Sequence, residues 1–177
     1  MADRSPVLVP NDPNRCRGRR GDLVAFWRAK GLLSDETDAD NPHWYLGGKS
    51  TQAYPEISFD YLHVYDGADR FVPMEDCMGW DARCPHCDSP LDETLFDLRD
   101  EWPDDSEDET TSMRDCTVTC PSCRKVAALR ELPANAAMTS FYVHLGAGDL
   151  GEDGGAEFLV DLEAFLGTSF KILWMNL

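Results

Sequence analysis

Cys84-Pro85-His86-Cys87 and Cys120-Pro121-Ser122-Cys123 decide how this chain is read, because two Cys-Pro-x-Cys clips in 177 residues supply the four thiolates of a tetrahedral metal site. Two residues between the cysteines let one tight turn aim both sulfurs at the same point while backbone amides face them. Pro85 and Pro121 preset φ for that turn. Cys84, Cys87, Cys120 and Cys123 are therefore the candidate metal ligands. Zinc is the expected ion, and its expected role is structural, because four cysteines leave no open coordination position.

The flanks agree. Residues 114–119 read as a strand entering the second clip and 125–132 as a strand leaving it, while 79–83 and 91–98 flank the first clip in the same way. The pattern resembles a zinc ribbon, two knuckles at the tips of β-hairpins, over about residues 80–132 and no further. About 32 residues (88–119) separate Cys87 from Cys120, against roughly 15–20 in the usual spacing. An acidic excursion at 99–111, too charged to pack, accounts for the excess.

Other chemistry for these cysteines fares worse. Seven cysteines are an odd number, and the N-terminus has neither an apolar stretch nor a cleavage site of the secretory kind, so a disulfide framework is not expected. A thioredoxin-like redox pair would suit one Cys-Pro-His-Cys clip alone, but two clips argue for metal. His86 is expected at the exposed tip of its turn. Cys116 is placed in a core beside Val118, because an extended strand from it to Cys120 spans roughly 13 Å. Cys77 and Cys16 are left outside the site.

Composition bounds the rest. A hydrophobic content of 42% with 10% aromatics supports a folded protein with a core of its own. No apolar run approaches the roughly 18 residues of a transmembrane helix, and the expected location is the cytoplasm. The formal charge is −17, from 33 acids against 16 bases. Such a field disfavours nonspecific binding to nucleic acid or anionic lipid and speeds encounters with basic partners. Residues 1–20 run the other way, with Arg15, Arg17, Arg19 and Arg20 clustered. They read as a basic flexible arm that either touches phosphate or docks on its own acidic surface.

The expected architecture is α+β: a small mixed or antiparallel sheet with two short helices, in a single domain over 21–177 that carries the ribbon as an insertion at 80–132. Asp22 is the expected cap of a helix over 23–30, with Leu23, Phe26 and Trp27 on one face and Gly31 as its stop. Residues 34–42 read as loop. A strand over 57–65 carries its aromatics on odd positions and Leu62 and Val64 on the other face, and Asp66-Gly67 offers a turn after it. Strand 139–145, helix 156–166 closed by Gly167, and a last strand 170–177 complete the chain. That last strand is apolar on both faces and is expected at the centre of the sheet. No internal repeat is legible.

The stretch from Gly146 to Gly151 spells G-x-G-x-x-G after a strand and before a helix. Asp149, Glu152 and Asp153 would repel a pyrophosphate, and Gly154-Gly155 delays the helix, so nucleotide binding is not expected. Calcium is not expected either, because the EF-hand spacing is missing. His43, His63, His86 and His144 are scattered, and no nucleophile elbow, metalloprotease or deaminase signature accompanies the clips, so no catalytic residues are assigned. Three function classes follow. The favoured one is a non-enzymatic acidic binding protein with a structural zinc site, such as an inhibitor or immunity protein for a basic partner. The alternatives are a zinc-ribbon module of nucleic-acid machinery that uses the arginine cluster, and an enzyme with an unrecognised site.

Overall fold

A computed structural model describes residues 4–37, 44–47, 54–72, 81–101, 117–132, 134, 137–153 and 155–176. The chain divides into two compact units, one built from residues 1–67 and 140–177, the other from 68–139. The fold class is α+β, as its sequence pattern implies. Among the described residues, three helices accompany a six-stranded sheet of order β2 (Leu33–Thr37), β3 (Trp44–Gly47), β4 (Tyr61–Val72), β7 (Ala137–Gly146), β1 (Arg4–Pro10), β8 (Phe170–Asn176) and a two-stranded sheet of β5 (Thr117–Thr119) and β6 (Val126–Ala128). Every pairing whose register is defined is antiparallel.

The first unit corrects the expectation of a flexible arm. Strand β1 (Arg4–Pro10) lies between β7 (Ala137–Gly146) and β8 (Phe170–Asn176), and Leu8 is fully buried. Pairing with β8 runs through all seven residues of β1, whereas defined pairing with β7 is confined to Val7 and Leu8. Those two residues sit between Pro6 and Pro10, which have no amide to donate to a ladder. The prolines leave Val7-Leu8-Val9 too short to show a period. Burial of those three side chains nevertheless fixes the strand.

The arginines that follow are engaged. Asp12 caps a short 3-10 turn (Pro13–Arg15), and Arg15 Nη1 donates to the Gly167 carbonyl at 2.9 Å. Arg19 Nη1 donates to the Phe165 carbonyl at 3.0 Å, with its guanidinium 4.8 Å from the Phe165 ring. Both arginines thereby satisfy carbonyls at the C-terminus of α3 (Ala156–Leu166), where a cation also complements the helix dipole. Gly167 closes that helix at φ 73°, a left-handed value at which a Cβ is strained.

Helix α1 (Arg20–Ala29) buries Leu23, Val24 and Trp27. It starts earlier than expected: Asp22 lies inside its first turn, and the carboxylate that receives the entering amides is Asp66, from Gly18 and Arg20. Trp27 stacks on Phe158, Phe26 stacks on Phe165, and Tyr54 meets Phe158 edge-on. Leu8, Leu62, Val64, Phe141, Val143 and Leu145 join this core from the sheet. At the rim, Asp161 accepts from both Tyr54 Oη and Lys30 Nζ at 2.6 Å.

Three further expectations change. Strand β2 (Leu33–Thr37) pairs with β3 (Trp44–Gly47) where a loop was read, its acidic residues hiding any apolar alternation. Strand β4 (Tyr61–Val72) starts later than expected and runs straight through Asp66-Gly67, because Asp66 is held by the amides before α1 and does not turn the chain. Its odd positions form a half-buried aromatic ladder with Tyr142 and the buried His144, while the core side belongs to Leu62 and Val64. Strand β8 stands last in the order, not central; its two apolar faces reflect Leu173 and Ile172 packing on opposite sides of the sheet. The glycine-rich stretch is a packing device. Asp149 pairs with Ser58, and a Cβ on Gly146 would run into the Tyr61 ring.

In the second unit, α2 (Asp92–Glu101) replaces the strand expected over 91–98. Leu91, Leu95 and Leu98 are spaced by four and three, which is one face of a helix, and Leu91 and Leu95 are buried. The segment entering the second clip is β5 (Thr117–Thr119), and the one leaving it is β6 (Val126–Ala128) followed by a 3-10 turn (Leu129–Glu131). Val118, Ala127, Leu129 and Leu132 pack with Ala82, Leu91 and Leu95 in one cluster that also takes in Cys84 and Cys120. Most of the acidic excursion, together with Cys77, Cys116 and His43, lies outside the described residues.

Candidate metal centre

Each clip folds into the same knuckle, and the likeness extends beyond the cysteines. The Cys84 amide donates to the Ser89 carbonyl at 2.9 Å, and the Cys120 amide to the Lys125 carbonyl at 3.0 Å. The Asp88 amide returns to the Cys84 carbonyl and the Arg124 amide to the Cys120 carbonyl, both at 2.9 Å. Asp88 at φ 59° and Arg124 at φ 61° occupy the left-handed region one residue past the second cysteine. The bridge of Arg83 with Pro90 corresponds to the pairing of Thr119 with Val126. Every residue of the second knuckle lies 36 positions after its counterpart. No repeat is legible in the sequence because only Cys, Pro and Cys are shared; the repetition is in the backbone hydrogen bonds.

The two knuckles bring all four cysteine sulfurs together. Their Sγ atoms lie within 4.8 Å of one another, with Cys84 to Cys123 and Cys87 to Cys120 each at 3.7 Å. Cys84 and Cys120 are buried, Cys123 is half-buried and Cys87 is exposed. The His86 amide donates to Cys84 Sγ at 3.4 Å, so the turn supplies the amide that a thiolate needs. Hydrogen bonding with the Ser89 side chain and amide lowers the Cys87 thiol to about 6. The Cys123 and Ser122 amides lower Cys120. Cys123 receives the Lys125 amide, yet burial and hydrogen bonds shared with Cys87, Cys120 and Cys84 push it up to about 11. Four sulfurs this close cannot all carry charge by themselves, and a divalent cation among them removes the conflict.

This geometry could hold a metal ion and is consistent with a zinc-ribbon-like site. His86 stays off the cluster. It is exposed at the turn, its Nε2 lying 3.3 Å from the Val126 carbonyl. Cys16 lies outside the cluster, as expected; it is fully buried in the core of the first unit, and burial pushes its thiol up to about 12. Arg15 and Arg19 are taken up at the end of α3, which the sequence could have suggested only if residues 1–20 had been read as part of the fold. Among the described residues no helix is long and apolar enough to cross a membrane. Compared with protein-family models, with curated proteins and with solved structures, the chain matches none of them.

Proposed function

We propose that Cys84, Cys87, Cys120 and Cys123 bind one structural zinc ion, and that the chain is a non-enzymatic acidic protein acting by binding a basic protein partner, as an inhibitor or immunity protein does. The observation that carries the metal reading is the sulfur geometry. A tetrahedron with metal–sulfur bonds of about 2.3 Å has edges of about 3.8 Å; Cys84 to Cys123 and Cys87 to Cys120 each lie at 3.7 Å, and all four sulfurs are within 4.8 Å of one another. A shell of four thiolates is closed to substrate, which supports a staple over a catalytic centre. Support for the partner comes from charge: −17 overall, with Asp22, Asp60, Glu152, Asp153 and Glu157 exposed on the first unit.

Elemental analysis of Cys120→Ser tests the metal. Zinc is expected near one equivalent in the parent protein and well below it in the variant, and one equivalent in both would end the reading. Capture experiments at two ionic strengths test the partner. A basic protein should be retained at low salt and lost at high salt; recovery of nucleic acid alone would favour a ribbon of nucleic-acid machinery.

A further inference from the structure

The repetition of the knuckles provides an internal control for the side chains they carry. At the three positions after the second cysteine, the first knuckle has Asp88-Ser89-Pro90 and the second has Arg124-Lys125-Val126, on the same turn with the same hydrogen bonds. The turn therefore needs neither cation. Arg124 is moreover an unfavourable choice for it: at φ 61° glycine, asparagine or aspartate is easier, and a strained residue that the fold does not require points to use of its side chain.

The surroundings support that use. Arg83, the cation of the first knuckle, donates to the Asp88 carbonyl and serves its own turn. The side chains of Arg124 and Lys125 are exposed and make no ion pair among the described residues. Val126 beside them is 56% exposed, and the His86 ring reaches its carbonyl. The second knuckle thus presents two cations with no ion-pair partner among the described residues and an exposed aliphatic side chain, with the imidazole of the first knuckle beside them.

We infer that Arg124, Lys125, Val126 and His86 form a docking surface for a short acidic peptide segment that carries an aliphatic residue, its carboxylates meeting Arg124 and Lys125 and its aliphatic group covering Val126. A peptide fits better than a polynucleotide for two reasons. A polynucleotide has no aliphatic side chain of the kind that would cover Val126, and meets a surface first with its phosphates. A long polyanion also feels the whole −17 field, whereas a short segment feels charges within a Debye length of about 8 Å. This surface goes beyond the proposed basic partner and depends on the zinc reading only in needing folded knuckles.

The test uses the full chain and a fluorescein-labelled decapeptide of alternating glutamate and leucine, read by anisotropy, with zinc content and far-ultraviolet circular dichroism measured on every sample. The variant R124D/K125S gives the second knuckle the first knuckle's residues, and its affinity is expected to fall about fivefold to tenfold, with zinc unchanged. Arg124→Gly separates fold from function: it relieves the left-handed residue, so melting temperature should hold or rise while affinity falls. Equal affinity in parent and variants, no binding by the parent, or tighter binding of a single-stranded oligonucleotide than of the peptide would each overturn the inference. Loss of zinc in Cys120→Ser with parent-like peptide affinity would overturn it separately from the metal reading.

Discussion

Chelation of the proposed zinc ion has a sharply local expected result. Four hydrogen bonds close the knuckles, from the amides of Cys84, Asp88, Cys120 and Arg124. The two-stranded sheet beside the knuckles pairs three residues with three, and a ribbon of that size is marginal by itself. A structural zinc site is worth on the order of 10 kcal/mol in free energy, comparable to the whole stability of a typical domain. Even a fraction of that, about 4 kcal/mol, changes opening equilibria by about a thousandfold. The first unit holds its own core around Trp27, Phe141 and Phe158. Hydrogen exchange of the intact chain, followed by mass spectrometry before and after a strong chelator, reads both units at once. The four knuckle amides should lose about a thousandfold or more of protection, while amides of Leu8, Leu62 and Val143 keep theirs. Unchanged protection over 81–90 and 117–127 after verified metal removal would refute the reasoning.

Phe158→Ala removes a fully buried ring that contacts Trp27 and Tyr54, and should destabilise the first unit by about 3–5 kcal/mol in chemical denaturation, leaving zinc content intact. Cys16→Ser should leave metal content unchanged but lower stability by about 1–2 kcal/mol, because a hydroxyl replaces a thiol at a fully buried position; an unchanged melting temperature would contradict the burial of that side chain. His144 is buried, its Nε2 has no hydrogen-bond partner among the described residues, and burial lowers its pKa from 6.5 to about 4. The fold holds the neutral ring, so this contribution is complete above about pH 6.5 and is lost as pH falls toward 4. That amounts to about 3 kcal/mol, and denaturation midpoints of His144→Phe should show a shallower decline across that window than the parent's.

The cysteines of the candidate metal centre, helix α3 with its glycine stop, and the α+β class were legible because each depends on short-range signals: a two-residue cysteine spacing, a four-and-three apolar stripe, a left-handed glycine. Leu91, Leu95 and Leu98 carried the same kind of stripe for α2, masked by the expectation of a second hairpin strand. Other elements had no such local mark. Whether Val7-Leu8-Val9 is an arm or a buried strand depends on β7 and β8, which arrive more than a hundred residues later. Arg15 and Arg19 look like free cations until the carbonyls of Phe165 and Gly167 reach them. Sequence alone determined which atoms are suited to a metal, since thiolate chemistry and turn geometry are written within four residues. Only the tertiary structure decided that the four sulfurs converge, that the second knuckle repeats the first, and which arginines are already bound, because those facts are set by distances between segments far apart in the chain.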